Sequence, residues 1–344
     1  MPADRIDRDT GVPGTPAVGV PDTTVPGATR TAMRDAAVAA LRDAPAVPGG
    51  KKPDPVLVAD GVTRRFGGLT AVDVEHFEVQ RGSITALIGP NGAGKSTFFN
   101  LLTGFDRPDQ GTWTFEGQSL AGVPSYKVAR RGMVRTFQLT KALSRLTVLQ
   151  NMLLGATGQR GENFLRAIVP GTWRAQERAN TERADDLLRR FKLDTKREDF
   201  AGSLSGGQRK LLEMARALMV EPDMVMLDEP MAGVNPALTQ SLLGHVKSLR
   251  EDGMTVLFVE HDMDMVRDIS DWVVVMAQGR IIAEGTPEEI MANPAVIDAY
   301  LGSHHDAPID EQDEQERLAQ DEAELRAEAD GHPAAARMQA EETP

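Results

Sequence analysis

Short apolar runs alternate with amphipathic segments between residues 54 and 302, and this pattern predicts a mixed α/β domain there. Residues 56–82 alternate apolar and polar positions around a glycine turn, which is typical of antiparallel strands. Further along, short β-branched runs alternate with segments that are apolar at helical spacing, which predicts a mainly parallel sheet with helices on both faces. The later strands are predicted at 84–88, 112–117, 133–138, 224–227 and 255–260, with a hairpin at 272–285.

One stretch inside this domain has helical segments and no strand pattern. Residues 147–156 and 174–193 are predicted helices, and no strand pattern lies between them, so we expect a helical subdomain over about residues 139–208. The remaining helices are predicted at 98–104, 125–132, 209–219, 236–252, 262–269, 286–290 and 293–302.

The two ends of the chain differ from the domain in composition. Residues 1–53 are rich in Pro, Gly, Thr and Ala, which predicts a disordered N-terminal extension. Residues 30–44 inside it are amphipathic at helical spacing, and we expect a transient helix rather than one that docks. Residues 303–344 carry 13 Asp and Glu against 3 Arg, which predicts an acidic and disordered tail.

Charge and composition exclude several classes of function. The net charge is −13, and because the tail holds most of it, the predicted domain is close to neutral. A neutral domain lacks the basic face of a nucleic-acid-binding protein, so we expect no nucleic-acid partner. The absence of cysteine excludes disulfides, thiolate metal sites and cysteine nucleophiles. We also expect no secretory signal and no membrane-spanning segment, so that any membrane role comes through a partner.

A glycine-rich loop at residues 89–97, GPNGAGKST, follows a predicted strand and precedes a predicted helix. Strand, glycine loop and helix together are the context in which G-x-x-x-x-G-K-[ST] binds the phosphates of a nucleotide. Glycines let the backbone N–H groups approach the phosphates, the lysine reaches the outer phosphates and the serine hydroxyl holds Mg²⁺. The residues are Gly89, Pro90, Asn91, Gly92, Ala93, Gly94, Lys95, Ser96 and Thr97.

Two acids stand at the end of a predicted buried strand, in MVMLDEP at residues 224–230. In open α/β sheets this edge is where ligands bind, so we expect Asp228 to hold the Mg²⁺ that the phosphates share. Glu229 has no charge partner nearby in sequence and is a candidate general base for an attacking water. The alternative is a strand end with two solvated acids.

A second glycine-rich segment, LSGGQ at residues 204–208, opens a predicted helix. Ser205 is a good N-cap, and Gly206 and Gly207 expose backbone N–H groups at the positive end of the helix, with Gln208 next to them. This is a second phosphate-binding surface, and one chain need not bring it to its own glycine loop.

In this order, the glycine loop, LSGGQ and the strand that ends in Asp-Glu resemble the nucleotide-binding domain of the ABC ATPases, over about residues 55–302. The resemblance implies a P-loop ABC ATPase fold, with a mixed, mainly parallel core sheet, an antiparallel β subdomain and a helical subdomain. It also implies ATP and Mg²⁺, and a head-to-tail dimer in which each ATP lies between the loop of one chain and the LSGGQ segment of another.

Further positions match the family one at a time. Phe66 resembles the aromatic residue that stacks on adenine, with Val72 beside it, and Gln138 resembles the glutamine that touches Mg²⁺ and the attacking water. His261 follows a predicted buried strand, like the histidine that reads the γ-phosphate. Residues 231–236 resemble the loop that crosses the dimer, although Asn235 stands where aspartate is usual.

The segments VRTFQ, EHDMDMVRDISDWVVVMAQGRIIAEGTPEEI and NPAVIDAYLG are similar to the ATPase subunits of branched-chain amino-acid (Liv-type) importers, including the related urea importers. This resemblance implies a cytoplasmic ATPase on the inner face of the cell membrane. Its partners would be a second ABC ATPase chain, transmembrane permease subunits and, indirectly, an extracytoplasmic substrate-binding protein. The alternatives are the same ATPase on a urea or lipid transporter, or a soluble ABC ATPase. Homodimer and heterodimer both remain open.

Overall fold

The computed structural model describes residues 35–36, 38–136, 144–156, 174–234 and 236–302. The strands in this part of the chain are β1 (Pro55–Phe66), β2 (Leu69–Gln80), β3 (Ile84–Ile88), β4 (Gln110–Phe115), β5 (Gln118–Ser119), β6 (Met133–Arg135), β7 (Met224–Asp228), β8 (Thr255–Val259), β9 (Trp272–Ala277) and β10 (Arg280–Gly285).

The α-helices that follow the first strands are α1 (Lys95–Leu102), α2 (Ser125–Arg130), α3 (Val148–Leu153), α4 (Arg174–Arg190), α5 (Gly206–Ala217), α6 (Pro236–Glu251), α7 (Met263–Ile269), α8 (Pro287–Met291) and α9 (Pro294–Gly302). Before them, residues 38–42 also form helical turns. Short 3₁₀ turns occupy Asp194–Lys196, Ala201–Ser203 and Leu218–Val220.

Two sheets form the framework. The first is antiparallel, with strand order β2–β1–β4–β5, and its longest pair is the hairpin of β1 and β2. The second has the order β10–β9–β3–β8–β7–β6, and all its neighbours are parallel except β10, which closes one edge as a hairpin with β9. The mainly parallel sheet and the antiparallel strands that the sequence predicted are confirmed.

Strand β3 is the central strand of the parallel sheet and is buried along its whole length. Its alternate side chains point to opposite faces, since successive residues of a strand do so. Ile84, Ala86 and Ile88 belong to the apolar cluster that includes the helical segments α3 to α5, whereas Leu87 belongs to the cluster under the antiparallel sheet. Because β3 is covered on both faces, its sequence is the nearly continuous apolar run ITALI.

The helical part of the domain lies between β6 and β7 in sequence. Helices α3 and α4 pack against each other and against α5, and Leu188 and Phe191 at the end of α4 are fully buried. Both helices were predicted from the sequence. Residues 157–173 lie outside the described residues, and so does Gln138.

Residues 38–53 differ from the predicted disordered extension. Leu41 is only 2% exposed and packs in the same cluster as Leu57 and Phe77. Lys52 is 6% exposed, which is unusual for a lysine without an ionic partner. This stretch therefore packs on the domain, whereas residues 1–34 lie outside the described part of the chain.

A buried ionic network holds this stretch to the edge of the parallel sheet. The Lys52 Nζ lies 2.9 Å from Glu284 Oε2 on β10 and 4.7 Å from the ring of Trp272 on β9. The Trp272 indole N–H donates to the same carboxylate oxygen at 3.0 Å, and the Gly50 N–H donates to its other oxygen. Lys52 and Glu284 are 232 residues apart, so no local sequence pattern signals the contact.

Among the described residues, no helix combines the length and the apolar character that crossing a bilayer requires.

Removing the buried cation should destabilise the domain. We expect Lys52→Met to lower the free energy of unfolding by about 3–5 kcal/mol, because it leaves the Glu284 carboxylate buried without its partner. The matched control is Arg280→Met, which removes a solvent-exposed ion pair with Asp73. This control should lower the free energy of unfolding by about 1 kcal/mol or less. Chemical denaturation of both variants checks the difference, and equal losses would contradict the anchoring role.

Candidate functional site

The glycine loop joins the end of β3 to the start of α1 and is held between the two sheets. A Cβ on Gly89 would lie 2.0 Å from the Met276 carbonyl oxygen, and a Cβ on Gly94 would lie 2.2 Å from the Ala71 carbonyl oxygen. Both glycines also have positive φ, +150° and +96°. Only glycine fits at these two positions, because any side chain would push the loop away from its neighbours.

Lys95, at the start of α1, turns back onto the loop. Its Nζ donates to the Gly89 carbonyl at 2.7 Å and to the Pro90 carbonyl at 2.9 Å. Burial lowers the pKa of the Lys95 ammonium, and the carboxylates of Glu229 and Asp228 act against that shift. The predicted lysine and the two predicted acids therefore share one electrostatic environment.

The remaining loop residues differ in exposure. Ala93 is buried and its carbonyl accepts a hydrogen bond from the Gly279 N–H, which fixes the loop to the turn between β9 and β10. Asn91, Gly92 and Ser96 are exposed, and Gly92 has a φ of +77°. The loop thus exposes backbone groups on one side and is packed on the other.

Asp228 ends β7 and is held by an arginine that sequence reasoning missed. The Arg135 Nη2 donates to Asp228 Oδ2 at 2.5 Å, and the two side chains are 9% and 10% exposed. Arg135 Nη1 also donates to Asn100 Oδ1 at 2.7 Å on α1. The three elements β6, β7 and α1 meet at this guanidinium.

Glu229 follows Asp228 in a backbone conformation that non-glycine residues rarely adopt, with φ at +45°. Its N–H donates to the Val259 carbonyl at 3.1 Å, and its carbonyl accepts from the Lys210 Nζ at 3.2 Å. Lys210 lies on α5, two residues after LSGGQ, and burial lowers its pKa. Strained backbone held from two sides is typical of functional loops.

Glu260 follows β8 and is 1% exposed. Its Oε1 accepts from the Met231 N–H at 3.0 Å, two residues after Glu229. Burial raises the pKa of the Glu260 carboxyl, while the backbone N–H groups of Met231 and His261 act against that shift. His261 is exposed beyond it, with Nδ1 3.8 Å from Glu260 Oε2. The carboxyl thus joins the loop after Glu229 to the predicted γ-phosphate sensor.

The LSGGQ segment caps α5 with its own side chains. The Ser205 hydroxyl accepts from the Gln208 N–H at 3.3 Å, and the Gln208 side-chain carbonyl accepts from the Ser205 N–H at 3.0 Å. Gly206 is exposed, whereas Gly207 is buried against Leu238 of α6. The capping box fixes the start of the helix, and Ser205 and Gly206 are on the surface.

The predicted adenine contacts fall in two environments. Phe66 ends β1 and is 49% exposed, and the Arg64 guanidinium lies 4.7 Å from its ring centre. Val72 is 0% exposed and belongs to the cluster beneath the antiparallel sheet. Its side chain therefore packs in the core of the described structure, and its contact with a ligand stays a prediction. Gln138 and Asn235 lie outside the described residues.

The C-terminal helix α9 reaches the glycine loop. The Tyr300 hydroxyl faces the backbone N–H of Gly89, which acts against the raised pKa that burial gives this phenol. Neither this contact nor those of Arg135, Lys210 and Glu260 has a local signal in the sequence, because each joins segments far apart in the chain.

The donor set around the loop fits Mg²⁺. The Ser96 hydroxyl and the Asp228 carboxylate are hard oxygen ligands, and Mg²⁺ is commonly bound by one or two protein groups together with phosphates. In the described part of the chain, no cluster of three or more His, Cys, Asp or Glu side chains could hold a metal ion.

A groove of about 490 Å³ lies between the edge of the parallel sheet and the helical segment. Its walls include Arg135 on β6 and Glu213 on α5. Three large apolar side chains in the groove are at least half exposed: Phe105, Tyr126 and Leu154.

The glycine loop, the two acids at the end of β7 and the glycine-rich start of α5 lie on one pair of sheets. Together they define a nucleotide-binding cassette. The family model described as ABC transporter matches residues 72–232, and that of the branched-chain amino acid ATP-binding cassette transporter matches residues 280–306. The chain therefore belongs to the ABC transporter ATP-binding family, in the branch of the branched-chain amino acid ATP-binding cassettes, and is an ATPase.

Two curated relatives have similar lengths to the domain. One is the probable branched-chain amino acid transport ATP-binding protein LivG of Archaeoglobus fulgidus, 42% identical over 72% of this chain and 96% of the relative. The other is the high-affinity branched-chain amino acid transport ATP-binding protein BraF of Pseudomonas aeruginosa, 43% identical over 72% of this chain and 98% of the relative.

A solved structure has the same fold. It is the ADP conformation of an ATP-binding cassette of an ABC transporter, with a TM-score of 0.62 and 36% identity over 72% of this chain and 99% of that one. The predicted P-loop ABC ATPase fold is confirmed.

Proposed function

We propose that the chain is the ATP-binding and ATP-hydrolysing subunit of an importer for branched-chain or related amino acids, which pass through a separate permease. The observation that carries this proposal is the match of residues 280–306 to the branched-chain cassette model. That segment contains Tyr300, whose hydroxyl faces the glycine loop at Gly89. The named relatives are transport ATP-binding proteins for the same substrates.

ATP binds with its phosphates on the backbone N–H groups of residues 89–97 and its adenine beside Phe66. The N-terminus of α1 adds the positive end of its dipole. Lys95, which hydrogen-bonds to two carbonyls of its own loop, exchanges these contacts for the outer phosphates. A partly desolvated ammonium there interacts strongly with added negative charge.

Ser96, Asp228 and Gln138 would hold the Mg²⁺ that comes with the nucleotide. Its chemistry there would be to neutralise charge on the phosphate oxygens during phosphoryl transfer. Glu229 takes a proton from the attacking water as the oxygen bonds to the γ-phosphorus. The bond to the β–γ bridging oxygen breaks, and ADP leaves with the electron pair. Lys95 stabilises the charge on the γ-phosphate and His261 contacts it.

A second ABC ATPase chain completes each site. Ser205, Gly206, Gly207 and Gln208 begin α5 with backbone N–H groups at a positive helix end, and Ser205 and Gly206 are exposed. In the dimer this surface faces the γ-phosphate of ATP on the other chain. Closing the dimer on ATP and opening it after hydrolysis is the motion that drives transport.

The groove between the parallel sheet and the helical segment receives a permease loop on the inner face of the membrane. Its exposed apolar residues Phe105, Tyr126 and Leu154 suit an apolar partner segment. The substrate-binding protein acts on the far side of the permease. Because the permease and binding protein select the substrate, this chain supplies energy rather than specificity.

Replacing the general base should separate binding from turnover. We expect Glu229→Gln to bind ATP and to accumulate as a closed dimer, with hydrolysis lower by about 10²–10⁴-fold, because an amide cannot accept the proton. Size-exclusion chromatography with ATP and a phosphate-release assay check this. Glu251→Gln, at the exposed end of α6, is the matched control. Normal hydrolysis by Glu229→Gln would contradict the role of Glu229.

The proposed role of the groove can be tested by co-purification of the protein with its membrane partner. We expect the wild-type chain to co-purify with a multi-spanning permease from detergent-solubilised membranes of its host. Leu154→Glu should reduce the recovered permease at least about tenfold, because the complex would bury an unpaired charge. ATP binding by the isolated variant should stay unchanged.

The matched control for the groove is Val47→Glu, since Val47 is an equally exposed apolar residue outside the groove. Co-purification with ribosomal or DNA-bound proteins and no permease would contradict the transport proposal. Equal permease recovery with both variants would contradict the groove as the docking surface.

A further inference from the structure

Arg135 places a positive charge directly on the carboxylate that is proposed to receive Mg²⁺. The Arg135 Nη2 lies 2.5 Å from Asp228 Oδ2, and both side chains are about nine-tenths buried. A guanidinium is always charged, and at this depth its attraction to the carboxylate is only weakly screened. In the described structure, Asp228 thus already has a cationic partner.

Mg²⁺ and Arg135 would compete for the same negative charge. A carboxylate next to an arginine attracts a second cation less than a carboxylate by itself, because the arginine offsets its field. Asn100 holds the other end of the guanidinium at 2.7 Å, and Asn100 lies on α1, the helix that the glycine loop opens. The arginine is therefore fixed where it can modulate the metal site.

The same guanidinium is part of the groove wall. Its central carbon lies 5.6 Å from the ring centre of Phe99 and 5.8 Å from that of Phe105, both within range of a cation–π contact. Phe99 is fully buried, whereas Phe105 is half exposed in the groove. A partner that packs on Phe105 would therefore touch a side chain that is itself in direct contact with the Arg135 guanidinium.

We propose that Arg135 is a positioning residue that competes with Mg²⁺ for Asp228 and makes this competition sensitive to what occupies the groove. The inference rests on the proposed function, in which Asp228 holds Mg²⁺ and the groove receives the permease. Coupling of this kind is reciprocal. A partner in the groove changes the free energy of Mg²⁺-nucleotide binding by the same amount as Mg²⁺-nucleotide changes the free energy of partner binding in the groove.

The test measures a magnesium ratio, defined as the dissociation constant of a fluorescent ADP analogue in excess EDTA divided by that in saturating Mg²⁺. It uses the full-length chain, and ADP avoids turnover. We expect Arg135→Met to raise the ratio at least about fivefold, because a competing unit charge is lost at short range. Arg135→Lys, which keeps the charge and loses the planar fork, should raise it less.

The matched control is Arg131→Met, because Arg131 is an exposed arginine that donates to the Ser119 carbonyl and not to a carboxylate. Its magnesium ratio should equal that of the wild type. If Arg135→Met does not fold, Arg135→Gln, which keeps a donor for Asn100, replaces it. A ratio that is unchanged or lower in a folded Arg135 variant overturns the inference, since a purely structural role would lower the melting temperature and leave the ratio unmoved.

Asp228→Asn separates this inference from the proposed function. If Asp228→Asn has the wild-type magnesium ratio, Asp228 is not the metal ligand, and both proposals fail together. If Asp228→Asn lowers the ratio but Arg135→Met does not raise it, only the competition fails. In the Asp228→Asn background Arg135→Met should leave the ratio unchanged, because the two residues act through one contact.

Phe105→Ala tests the link to the groove. Loss of this ring should raise the magnesium ratio in the wild-type background, by less than Arg135→Met does, because the guanidinium is held less firmly. In the Arg135→Met background it should have no effect. An equal rise in both backgrounds would show that Phe105 acts without Arg135 and would overturn the link.

Discussion

The close backbone contact of the glycine loop with its neighbours is the constraint on which the site depends. Gly89 lies against the Met276 carbonyl on β9, and Gly94 lies against the Ala71 carbonyl on β2. The loop thus lies in close contact with both sheets at once. On the C-terminal helix, the Tyr300 hydroxyl faces the backbone N–H of Gly89.

The acids of the site are held in place by groups from other elements. Arg135 holds Asp228, Lys210 holds the carbonyl of Glu229, and Glu260 holds the N–H of Met231. Each contact joins the end of β7 to a different element: β6, α5 and β8. The end of β7 is thus linked by side-chain hydrogen bonds to the edge of the sheet, to the helical segment and to the strand beside it.

The sequence predicted the elements well because their signals are local. The run ITALI is continuous since β3 is covered on both faces, and Ser205 and Thr286 are N-caps of the helices expected after them. The contacts of Lys52 and Arg135 could not be predicted, since their partners are 232 and 93 residues away.

The burial of Val72 in the core was not apparent from the local sequence. For residues 38–53, composition indicated disorder, although one buried ionic network is enough to hold them on the domain.

In the proposed function, ATP turnover at this site drives uptake of branched-chain amino acids. The most direct measurement is the uptake of radiolabelled leucine by host cells in which the chain is deleted and then supplied again. We expect uptake to fall on deletion, to return with the wild-type chain and not to return with Lys95→Ala. Unchanged leucine, isoleucine and valine uptake after deletion would contradict it.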